Sequence, residues 1–118
     1  MAVGFVPSKA HTFDWPCIIR EPRDGGGFAE LQIVATFKVL TESRQKEVVE
    51  QIASGDGDAS VLKEILVGWK KGITDEAGNL LPFDDATRDA VVDVPYAKAA
   101  LLTGYYEAIN GKKAKRKN

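Results

Sequence analysis

The chain contains only one cysteine, Cys17, and one histidine, His11, among its 118 residues. A lone thiol cannot form an intrachain disulfide, which fits a reducing cytoplasm, and a structural zinc site needs about four ligands. Six positions separate the two side chains in a strand-like segment, so they lie roughly 20 Å apart unless a turn intervenes. We therefore predict a small buried thiol, a surface imidazole, and no catalytic residue, metal or cofactor.

Long apolar runs and ligand-binding motifs are also missing. No run approaches the roughly 18 apolar residues of a membrane span, and the first residues, MAVGFVPSKAH, lack the basic start and apolar stretch of a secretory signal. The glycines Gly25–Gly27 match neither a dinucleotide-binding nor a Walker pattern, and the acidic stretches at Asp56 and Asp75 do not match an EF-hand loop. We predict no membrane association, and we interpret the adjacent acids Asp84 and Asp85 as helix caps rather than an acid/base pair.

Positive charge is concentrated at the end of the chain. The net charge is −1, but five of the 16 basic residues fall within the last seven positions. Without those five, 11 basic side chains remain against 17 acidic ones, so the body carries a net charge of −6. We predict a disordered basic tail over 112–118. It has no interleaved aromatic residues for base stacking, although contact with phosphates stays open.

The first half of the chain carries two β-type segments. His11–Arg20 is rich in strand-forming residues but contains Pro16, which predicts either an edge strand or a strand with a bulge. Glu21–Gly27 has the composition of a turn. Phe28–Leu40 alternates with period two and places one set of apolar residues on a single face: Leu31, Ile33, Ala35, Phe37 and Val39. The two segments predict a β-hairpin that needs helices to cover its apolar face.

The rest of the sequence predicts about four short helices. Thr41 caps a helix over Glu42–Ala53, and the apolar spacing that follows predicts a helix over 58–70, ended by a glycine. Asp84 caps a short helix through Asp93, and Pro95 begins a last helix that ends at Gly111. At 44% hydrophobic residues, the chain has the composition of one globular domain. We predict an α+β fold in a single domain over 1–111, with the N-terminal β-hairpin packed on the helices and a helical C-terminal half.

The second half, roughly Val61–Gly111, resembles the tail assembly chaperones of lambda-like, long-tailed phages and their prophages. The resemblance is carried by a series of motifs: the apolar helix Val61–Leu66, Gly68-Trp69 at its end, the acidic turn Asp75–Asn79, Leu81-Pro82-Phe83, and a Pro95 helix holding Tyr105 and Tyr106. Lys70-Lys71 before Gly72-Ile73, and Asp84 where the family often has Ser or Thr, depart from its usual pattern.

The resemblance implies a non-enzymatic function. Members of this family bind the tape measure protein, an elongated helical molecule, keep it soluble, and recruit tail tube subunits around it in the host cytoplasm. They are absent from the mature virion, and many also occur as a longer frameshifted form. On this resemblance, the present chain would be the short form.

We predict partner-binding roles for four aromatic residues: Trp69, Phe83, Tyr105 and Tyr106. Core packing is the alternative for each, although a helix cannot bury both tyrosines on one narrow face. An unpaired hairpin edge also suggests weak self-association. The alternative function is a small nucleic-acid-binding regulator that uses the basic tail, and a small enzyme is a third class.

Overall fold

The computed structural model describes Gly4 and residues 11–53 and 58–111. Its elements are, in chain order, β1 (Thr12–Pro22), β2 (Phe28–Lys38), α1 (Glu42–Ala53), α2 (Asp58–Ile65), β3 (Leu66–Lys71), α3 (Asp85–Val92) and α4 (Pro95–Ile109). The strands form one antiparallel sheet in the order β1-β2-β3. The predicted α+β class, with an N-terminal hairpin, four helices and a helical C-terminal half, is confirmed. The predicted tail over 112–118 lies outside the described residues, and the single domain over 1–111 stays a prediction.

The hairpin has the predicted alternation of faces. β1 and β2 pair along their whole length, from Thr12 opposite Lys38 to Pro22 opposite Phe28. The buried residues of both strands occupy one face: Cys17, Ile19, Ile33, Ala35 and Phe37. The other face of these two strands carries no buried side chain. The helices therefore cover the face that the period-two pattern predicts.

Pro16 occupies a position on the open edge of β1. The Val39 N–H donates to the His11 carbonyl oxygen (3.0 Å), so these opposed residues form a hydrogen-bonded pair. Such pairs alternate along an antiparallel ladder, and with this register the even-numbered residues of β1 point their backbone groups away from β2. Proline at position 16 therefore costs the hairpin no hydrogen bond, and the predicted edge strand is confirmed.

The predicted helix over 58–70 is wrong in its second half. α2 ends at Ile65, and Leu66–Lys71 continues directly as β3, paired with β2. Trp69 is buried in the strand, as the helical spacing also required. A short apolar run of this kind fits both the helical period of about 3.6 residues and the strand period of two. Hydrogen bonding to β2 outweighs the weak helical preference of a segment that contains Gly68.

Gly68 and Gly72 are the two candidates for the glycine that ends the predicted helix. Gly68 instead lies within β3, and Gly72 follows β3 where the chain passes close to β2. Its φ angle is +94°, and a Cβ atom built there would lie 2.5 Å from Cγ2 of Ile33 and 2.8 Å from the carbonyl oxygen of Gln32. Both the left-handed backbone and the close approach require glycine.

The predicted helix starts are confirmed. The Thr41 hydroxyl accepts the Arg44 N–H (3.2 Å) at the start of α1. A carboxylate oxygen of Asp84 accepts the Thr87 N–H (2.8 Å) at the start of α3, and Pro95 occupies the first turn of α4. Each device satisfies or removes a backbone donor that a helix start leaves unpaired.

Candidate functional site

The four aromatic residues predicted to bind partners fall into two classes of exposure. Trp69 on β3 is 7% exposed and Tyr105 on α4 is 1% exposed, whereas Phe83 and Tyr106 are half-buried. The structure brings them together as two separate pairs, Trp69 with Phe83 and Tyr105 with Tyr106.

Trp69 and Phe83 join β3 to the start of α3. Their rings meet edge to face with centroids 4.7 Å apart. The Trp69 indole N–H donates to the carbonyl oxygen of Leu81 (2.8 Å), so the buried ring has its polar group satisfied. The segment Gly68–Phe83 is thus an elbow between a strand and a helix, and not between two helices as the sequence suggested.

The acidic turn of the elbow is closed by Asp75. Its carboxylate accepts the backbone N–H groups of Ala77 and Asn79, both at 2.9 Å, and Gly78 supplies the positive φ angle of +89°. The backbone bond from Asn79, followed by weaker contributions, lowers the pKa of Asp75. The Thr87 N–H lowers the pKa of Asp84 in the same way. The Asp75 carboxylate closes the turn and the Asp84 carboxylate caps α3, as the sequence predicts.

Tyr105 joins the last helix to the sheet. Its hydroxyl oxygen accepts the Leu40 N–H (3.3 Å), and its ring packs against Phe37 with centroids 5.6 Å apart. Burial raises the pKa of Tyr105. The neighbouring Tyr106 ring packs edge to face on Tyr105, also at 5.6 Å. In this structure Trp69 and Tyr105 pack in the core, so Phe83 and Tyr106 have more surface for a partner; their binding role stays a prediction.

The lone thiol and the imidazole lie where the sequence places them. Cys17 is buried on β1, and desolvation, together with the Glu107 carboxylate, raises its pKa to about 12. His11 is exposed and stacks on Phe13 with ring centroids 6.0 Å apart. A thiol held protonated in an apolar site is a poor nucleophile.

Sequence reasoning missed a shallow cleft between the start of β1 and the end of α4. It encloses about 400 Å³ and is lined mainly by apolar and aromatic residues: His11, Phe13, Asp14, Trp15, Val39, Ala108 and Ile109. The Asp14 carboxylate accepts the Thr36 hydroxyl (2.7 Å), a cross-strand contact on the other face of the sheet. The indole N–H of Trp15, one of the lining residues, is buried and has no hydrogen-bond acceptor among the described residues. Aromatic residues at alternate positions of an edge strand were the available signal, but their neighbour on α4 could not be known.

Within residues 11–53 and 58–111 no group of three His, Cys, Asp or Glu side chains is arranged to hold a metal ion. None of the helices described in these ranges has the length and apolar character needed to cross a membrane. Comparisons with protein-family models, curated proteins and solved structures give no match to this chain.

Proposed function

We propose that this chain is a phage tail assembly chaperone. It binds the tape measure protein in the host cytoplasm, keeps it soluble, and recruits tail tube subunits through a longer frameshifted form. It leaves the assembly before the virion matures. In this proposal the chain is a binding protein and catalyses no reaction.

The observation that carries the proposal is the way the residues of the resemblance pack together. Trp69, the Leu81 carbonyl and Phe83 interlock, the Asp75 turn lies between them, and Asp84 caps the helix that follows. These motif residues therefore have a shared structural reason to occur in this order.

The exposed apolar side chains suit a protein that makes repeated contacts. Among the described residues, three large apolar side chains are more than half exposed: Phe28, Val49 and Leu80. An acidic body with scattered apolar side chains can engage a long helical client through many weak contacts, which multiply when several copies bind. Weak self-association belongs to the same proposal, although Pro16 makes the β1 edge a poor route to it.

Co-expression with the tape measure protein encoded by the neighbouring gene tests the proposal. We expect the chain to co-purify with that protein and to raise its soluble fraction, because coating its apolar helices prevents their aggregation. An unrelated acidic protein of similar size serves as the control. Failure of both co-purification and solubilisation would contradict the proposal, and binding to DNA that falls steeply with salt would favour a nucleic-acid regulator instead.

A further inference from the structure

We draw no further inference here: the strongest candidate, the shallow apolar cleft between the start of β1 and the end of α4, carries none, because nothing in the part of the chain that the structure describes shows what covers it.

Discussion

At the scale of single residues, Gly104 is the point where α4 lies closest to the sheet. A Cβ atom built on Gly104 would lie 2.5 Å from the sulfur of Cys17 and 3.5 Å from Cδ1 of Trp15. Real Cβ atoms do not approach a sulfur so closely, so either the thiol or the helix would have to move. Gly104 therefore allows α4 to cover β1 at short range.

We expect Gly104→Ala to lower the free energy of unfolding. Overpacking costs about 1–3 kcal/mol, partly offset by about 1 kcal/mol from the better helix propensity of alanine. The double variant C17A/G104A should be more stable than the sum of the single effects, because removing the sulfur makes room for the new methyl group. Urea unfolding of wild type, the two single variants and the double variant measures this coupling. Strictly additive changes in the free energy of unfolding would contradict a close contact between position 104 and the Cys17 sulfur.

The Cys17 thiol should not react with a thiol reagent in the native protein at pH 8, and should react once urea unfolds the chain. Burial raises its pKa from 9.0 to about 12, with a smaller effect from Glu107. The folded state thus holds the proton more tightly than the unfolded state. The resulting stabilisation is complete below about pH 9 and is lost as the pH rises towards 12.

Urea unfolding of wild type and Cys17→Ala across this pH range isolates the contribution of the thiol. The free energy of unfolding of wild type should fall relative to that of Cys17→Ala as the pH rises from 9 to 12. A difference that stays constant would show that the thiol titrates with the same pKa in both states.

At the scale of elements, a bidentate ion pair between Arg44 and Glu64 connects α1 to α2. Arg44 Nε lies 2.9 Å from Oε2 of Glu64, and a terminal guanidinium nitrogen lies 2.6 Å from Oε1. The Arg44 hydrogen bonds are the main reason that the pKa of Glu64 is lowered. The pair adds a directional contact to the burial of Val48, a buried residue of α1.

We expect Glu64→Gln to destabilise the protein by about 1 kcal/mol at pH 7, since the pair is only partly exposed and bidentate. Because the folded state lowers the pKa of Glu64, its contribution is present above the ordinary value of 4.5 and is lost as the pH falls further. The gap between wild type and variant should therefore close in acid. Glu47→Gln, which removes the more exposed partner of Arg44, serves as the control and should have a smaller effect. An equal loss of stability in both variants would contradict a specific contribution from the Arg44–Glu64 pair.

At the scale of the whole molecule, the two edges of the sheet differ in how they resist pairing with another chain. β3 is short and ends in Lys70 and Lys71. β1 is 11 residues long, but Pro16 removes an outward N–H near its middle. Short length, charge and proline are all means of protecting an edge strand.

We expect Pro16→Val to increase self-association, because it restores an outward N–H donor and a strand-forming side chain on the open edge of β1. Sedimentation velocity over a concentration series should show a larger mean sedimentation coefficient than for wild type. Pro22→Val makes the same change at the end of the strand and should have less effect. A Pro16→Val protein that sediments like wild type would show that the edge is blocked by something other than the proline.

Local periodicity in the sequence accounts for much of the fold, while the candidate site depends on distant contacts. The alternation through Ile33 and Phe37 predicts the covered sheet face, and Asp84 and Pro95 predict two helix starts. The cleft could not be predicted in this way, because Trp15 and Ile109 are far apart in the chain. Their proximity follows from the packing of α4 along β1, which Gly104 permits.

The sequence by itself determined the hairpin, its covered face, the caps and the acidic turn, because each depends on residues within about one helical turn or one strand alternation. Only the tertiary structure decided that Leu66–Lys71 is a strand, since the same apolar spacing fits both periods until β2 supplies hydrogen-bonding partners. It also decided that Trp69 and Tyr105 are buried while Val39 and Ile109 remain exposed. Burial depends on which distant element covers a side chain, and spacing along the chain does not contain that information.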